Sequence, residues 1–151
     1  MSRPALSRLP EPLERALRQH AEAQYPSESC GALVGEGDGT TAPWRVTEIK
    51  AAPNEHSGDQ ARRYLVPPAF QLQMEQYARA SGQDVIGYYH SHPDHPAQPS
   101  EYDRTHAWCG YLYLICAVQQ GRATDLSAFA LAEPGGAFVE VEIQDHPTAP
   151  P

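Results

Sequence analysis

The sequence predicts an α/β domain. Two stretches carry apolar residues at helical spacing, a third opens on a serine cap, and between them run short β-branched and aromatic segments bounded by glycine and proline. Across 151 residues no shift of composition marks a boundary between two units, and a chain of that length buries a sizeable core by itself. Residues 1–145 are therefore expected to form one domain, with 146–151, His-Pro-Thr-Ala-Pro-Pro, as a disordered tail.

Leu13, Ala16, Leu17 and His20 repeat at helical spacing between Pro10 and Pro26, which predicts a first helix over 11–24. Pro26 to Gly35 reads as a strand with Glu28 at its entrance. The turn Glu36-Gly37-Asp38-Gly39 closes it and pairs it with the alternating run Trp44–Ile49. Residues 51–63 have no period and read as a loop. Arg62 and Arg63 at its end fit either a contact to acidic substrate groups or a solvated pair before a strand. Tyr64-Leu65-Val66 is a brief strand. Pro67 and Pro68 then start a second helix whose core stripe is Phe70, Met74 and Tyr77, ending at Ser81-Gly82.

The continuous apolar run Val85–Tyr89 predicts a strand inside the sheet. Pro93, Pro96 and Pro99 punctuate the following loop, and Ser100 begins a third helix that runs to about His106 or Trp108. Three further strands are expected at 111–118, 126–131 and 138–143.

Charge and cysteine content exclude several classes. Lys plus Arg number 11 against 19 Asp plus Glu, a formal charge of -8, so neither nucleic acid nor an anionic membrane is expected as a partner. No apolar run reaches the roughly 18 residues of a membrane span, and the start lacks the apolar core of a signal peptide, which predicts a cytoplasmic protein. Cys30, Cys109 and Cys116 form no CxxC pair and read as reduced thiols. Cys30 lies two residues from Glu28 and fits either a buried small hydrophobe or a group facing the site.

The chemistry concentrates between His90 and Asp103. His90 and His92 are one residue apart at the end of a strand, so their side chains leave the same face, where one cation could bridge them. Asp103 adds an anionic oxygen, giving the three ligands of a catalytic zinc site with a fourth position open to water, whose pKa the metal lowers to about 7. Glu28 is the candidate general base. Ser100 has two readings: Ser-x-x-Asp at a helix start is a capping box, and a serine used as an acceptor still has its O–H to donate to an oxyanion. His95 and His106 fit solvent or a helix face better than the site. No HExxH string occurs, nor the P-C-x-x-C that accompanies H-x-E in zinc deaminases.

At these residues the chain resembles the JAMM/MPN+ metalloprotease family, whose pattern is an upstream glutamate, then HxHP, a spacer and SxxD; Glu28, His90, His92, Ser100 and Asp103 fill every position. The resemblance spans about residues 10–143 and implies a single-domain α/β/α sandwich with a mixed central sheet, like the cytidine deaminases. It implies one Zn2+ ion held by the two histidines and the aspartate, Glu28 as general acid/base and Ser100 as a stabiliser of the tetrahedral intermediate. Tyr-His-Ser-His-Pro-Asp-His-Pro-Ala is similar to the bacterial stand-alone branch that includes the CysO-cysteine peptidases. That branch implies hydrolysis after the C-terminal Gly-Gly of a ubiquitin-like sulfur-carrier protein, by a monomer or a homodimer. A non-catalytic MPN-type scaffold is the alternative.

Overall fold

The computed structural model describes residues 5–54, 66–131 and 133–143. In chain order these form β1 (Ala5–Arg8), α1 (Glu11–Gln24), β2 (Cys30–Glu36), β3 (Trp44–Ala52), α2 (Pro68–Ala80), β4 (Asp84–Pro93), α3 (Glu101–His106), β5 (Leu112–Gln119), β6 (Arg122–Leu131), β7 (Phe138–Glu140) and β8 (Glu142–Ile143). The strands make one mixed sheet in the order β7-β6-β5-β4-β2-β3-β1-β8. β4 lies at its centre, antiparallel to β2 and parallel to β5. The expected mixed α/β architecture is present, with helices on both faces.

α1 forms because Pro12 sits within the first turn, Glu11 and Glu14 favour the helix's positive end, and Arg15 and Arg18 pair back to them at 2.7 and 3.0 Å. Its inner face, Leu17 and Ala21, is fully buried against Leu33, Trp44, Val46, Leu114, Cys116 and Val118 of the sheet. Burying a leucine there stabilises by roughly 1.5–3 kcal/mol. α2 covers the other face. Met74 and Ala78, four residues apart, pack on Ala32, Val34 and Val85. Tyr77, expected in that core stripe, is instead exposed and donates its hydroxyl to Glu48 at 2.7 Å. The buried stripe runs one residue further round the helix because its second contact is Ala78.

Several boundaries differ from the sequence expectation. β1 was not expected at all: four residues are too few to show a period, and they are held by parallel pairing to β3 and β8. β2 begins at Cys30 rather than Pro26, and β3 continues through Ala51 and Ala52, beyond the end expected at Ile49. Of the brief strand expected at 64–66, only Val66 is described, and it lies outside any strand; Arg62, Arg63 and residues 146–151 fall outside the described residues. β6 starts four residues early because Gln120 (φ 49°) and Gly121 (φ 86°) make a two-residue hairpin turn with both residues left-handed.

The single strand expected at 138–143 is two. β7 pairs with β6 and β8 pairs with β1, at opposite ends of the strand order, yet only Val141 separates them. The sheet therefore curls until its ends meet around α1. Val141 is buried at the join, its N–H bonded to the Ala128 carbonyl at 2.7 Å.

Candidate metal centre

β4 is the element that aims the site. In its pairing with β2, Leu33 and Val34 face Gly87 and Val85, so Ile86 is an extra residue and forms a bulge. From there alternation places Tyr88, His90 and His92 on the α2 face of the sheet. The close approach to β5 needs glycine at position 87, where a Cβ would meet the Leu112 carbonyl oxygen at 1.8 Å. The strand runs on through Pro93 in parallel register with β5, and on its other side it is bonded to the β2 segment as far as Ser91.

α3 brings the carboxylate. Ser100 caps it: its side chain accepts the Asp103 N–H at 3.0 Å, while the Asp103 carboxylate accepts the Ser100 N–H at 2.8 Å. The same carboxylate reaches both imidazoles, with Oδ1 at 3.1 Å from His90 Nε2 and Oδ2 at 3.0 Å from His92 Nε2. The two Nε2 atoms are 3.1 Å apart. All three side chains are buried, with 1, 8 and 6% exposure for His90, His92 and Asp103.

That convergence has a chemical consequence. His92 Nδ1 lies 2.9 Å from the Pro96 carbonyl, which only accepts, so Nδ1 carries the proton and Nε2 presents its lone pair. Burial lowers the pKa of His90, keeping that imidazole neutral. Burial acts to raise Asp103, but the His90 imidazole beside it and the hydrogen bond from the Ser100 N–H outweigh it and hold the carboxyl well below the usual range. The Nε2 lone pair of His92 and the Asp103 carboxylate thus face each other at 3.0 Å, with His90 Nε2 3.1 Å from both, and two buried acceptors repel unless a cation lies between them. Two nitrogens on a tetrahedral zinc are about 3.3 Å apart, close to the 3.1 Å seen here. The donor set fits zinc.

Glu28 arrives from the neighbouring strand. The β2–β4 ladder pairs Gly31 with Tyr89 and Cys30 with His90, so continuing the register sets Glu28 opposite His92. Ligand atoms of Glu28, His90 and His92 lie within 4.8 Å of one another, and Glu28 is 3% exposed. The glycine three residues on is required by packing, since a Cβ at Gly31 would lie 2.2 Å from the Tyr89 ring and 2.5 Å from the Lys50 carbonyl.

Residues 10–131, most of the chain, match the family described as prokaryotic homologues of the JAB domain. The chain belongs to that family. Its relatives include a desampylase of Haloferax volcanii, 36% identical over 110 residues that cover 71% of this chain and 73% of that protein. A protein of Salinibacter ruber solved in solution is 35% identical, with a TM-score of 0.70 over 96% of this chain and 95% of that one. A JAB1/MPN domain protein of Archaeoglobus fulgidus, 19% identical with a TM-score of 0.51 over 88% and 94%, shares the fold.

Within this JAB site the remaining candidates separate. Ser100 is exposed, and its hydroxyl oxygen accepts from Asp103. The Cys30 thiol points at the carbonyls of Ala52 and Pro53, 3.9 and 3.8 Å away, and burial, with Glu28 nearby, pushes its pKa up to about 12. It is a packed thiol, not a nucleophile. His95 is exposed; His106 is also exposed and stacks on Tyr102 at 4.0 Å between ring centroids. Three residues next to Glu28 carry no signal of the kind that marks the site: Ser29 and Ser91, bonded to each other, and Asn54, whose side-chain amide donates to the Glu28 carbonyl at 3.3 Å. The place of Ser91 inside His-Ser-His is the available cue. Beside α3, an apolar groove of about 400 Å³ is lined by residues including Leu72, Tyr88, Tyr102, Trp108 and Tyr111. Among the described residues no helix is long and apolar enough to cross a membrane.

Proposed function

We propose that this JAB-family chain is a zinc-dependent metallopeptidase that hydrolyses a peptide or isopeptide bond, after the C-terminal Gly-Gly of a ubiquitin-like sulfur-carrier protein. The observation that carries it is the convergence of two imidazole Nε2 atoms and both Asp103 oxygens within 3.0–3.1 Å, with the Glu28 carboxylate alongside. The desampylase relative supports a ubiquitin-like protein as the substrate.

His90, His92 and Asp103 hold the ion. When bound, zinc supplies a Lewis acid that makes water nucleophilic near neutral pH and polarises a carbonyl. Glu28 takes the proton of the attacking water and delivers it to the departing amine. Ser100, whose oxygen accepts the Asp103 N–H, keeps its O–H to donate to the oxyanion. The apolar groove shares α3 with Asp103 and accommodates the extended tail of the substrate. The enzyme acts in the cytoplasm as a monomer or a homodimer, without nucleic acid or membrane. A non-catalytic MPN-type scaffold is the alternative.

The test is to incubate the protein with Gly-Gly-tailed carriers that bear a C-terminal cysteine or a fused peptide, with and without chelator, and to weigh the products. Cleavage after Gly-Gly that chelator abolishes and zinc restores is the expected result. Zinc binding without cleavage of any carrier favours the scaffold.

A further inference from the structure

Ser91 stands between the two histidines, and its side chain leaves the opposite face of β4. Its hydroxyl oxygen accepts the Ser29 N–H at 2.8 Å and lies 3.0 Å from the Ser29 hydroxyl, while its own N–H donates to the Ser29 carbonyl at 3.1 Å. Ser29 is 2% exposed and Ser91 is fully buried. In a regular antiparallel pair of this kind the two residues exchange backbone bonds in both directions. Here the N–H of Ser29 goes to the Ser91 side chain instead.

This change of partner falls where the β2–β4 register ends, at Cys30 opposite His90, next to Ser29. Glu28 follows immediately. Diverting the Ser29 N–H from a carbonyl to a hydroxyl on the far face of β4 sets the direction in which the chain reaches Glu28. Its side chain lies on the histidine face, within 4.8 Å of both rings.

We propose that Ser91 is a positioning residue for Glu28: its hydroxyl ends the ladder and aims the Glu28 carboxylate into the metal centre. The proposal rests on Glu28 being the proton carrier of the function given above. Removing the hydroxyl leaves His90, His92 and Asp103 in place, so the site keeps its metal and loses proton transfer.

The test uses the zinc-loaded full chain and a Gly-Gly-linked substrate. Ser91→Ala is expected to lower kcat about 10–100-fold, the scale of a misplaced catalytic group, with KM and zinc affinity within about threefold. Ser91→Thr, which keeps the hydroxyl, restores most of the rate. In a Glu28→Gln background the Ser91→Ala change costs less than about twofold, because a residue acting through Glu28 then has nothing left to position. An equal loss in both backgrounds, or a loss of zinc affinity, overturns the proposal.

A second measurement does not depend on turnover. By NMR, the Ser29 amide in Ser91→Ala should exchange about tenfold faster or more, and the Glu28 carboxylate carbon should shift; a spectrum in which both stay as in wild type overturns the placement. If wild type cleaves nothing, the proposed activity fails and this comparison still decides the role of Ser91. Should Ser91→Ala not fold, Ser91→Cys, which fills the space with a weak acceptor, takes its place with the same expectations.

Discussion

His92 donates its Nδ1–H to the carbonyl of Pro96 at 2.9 Å, which leaves its Nε2 lone pair facing the Asp103 carboxylate at 3.0 Å. Two acceptors held this close call for a cation. His90→Ala, His92→Ala and Asp103→Ala should each weaken zinc binding by more than about 100-fold, since even partners outside the ligand set cost 10–100-fold. Competition against a chromophoric chelator measures this, and affinity within threefold of wild type in any of the three would remove that residue from the ligand set.

Ser100 caps α3 and is the proposed oxyanion donor, and two readouts of one substitution tell these roles apart. Ser100→Ala removes the cap and should cost about 1 kcal/mol in urea unfolding, and it should lower kcat by roughly 10² through loss of the oxyanion donor. Ser100→Thr keeps both functions. A variant that loses only stability would reduce Ser100 to a helix cap.

Burial lowers the pKa of His90 and of His20 below the ordinary 6.5. The unfolded chain therefore binds more protons than the folded one on the acid side of 6.5, so stability falls on acidification there and is fully present above it. The contribution of Asp103, whose carboxyl is held below its ordinary 3.8, is lost only in stronger acid. The Tm of metal-free protein, followed by circular dichroism, should be level from pH 8 to 7 and drop by about 3 °C or more between 6.5 and 5. A rising Tm would contradict a neutral, buried His90 and a half-buried His20.

Cys30, with its pKa pushed up to about 12, and Cys116, pushed to about 11 by burial, should resist alkylation in the folded protein. Cys109 is only partly buried and should react first with iodoacetamide at pH 7.5. Peptide mass spectrometry reads the order. Early labelling of Cys30 in the native state would reopen a role for it as a nucleophile.

Much of the candidate metal centre is legible in the sequence because its parts are local. His90 and His92 are two apart in one strand, and the Ser100–Asp103 box is contained in one helical turn, so period and capping rules reach them. Glu28 was legible only as a type of residue. Its place opposite His92 depends on a strand register between segments about sixty residues apart, with the Ser29–Ser91 bonds at its end. β1 and the split of 138–143 into β7 and β8 were illegible for the same reason. Those segments are two to four residues long, and their conformation is set by pairing across the curled sheet rather than by any pattern of their own. The exposed Tyr77 shows the smaller error, a helical face misjudged by one position.

The central claim is that His90, His92 and Asp103 hold the metal while Glu28 moves the proton, and Glu28→Gln divides the two. Zinc content and kcat should be measured on the same preparation. The account predicts about one zinc per chain with kcat at least 10²-fold below wild type; a Glu28→Gln enzyme that turns over at the wild-type rate would contradict it.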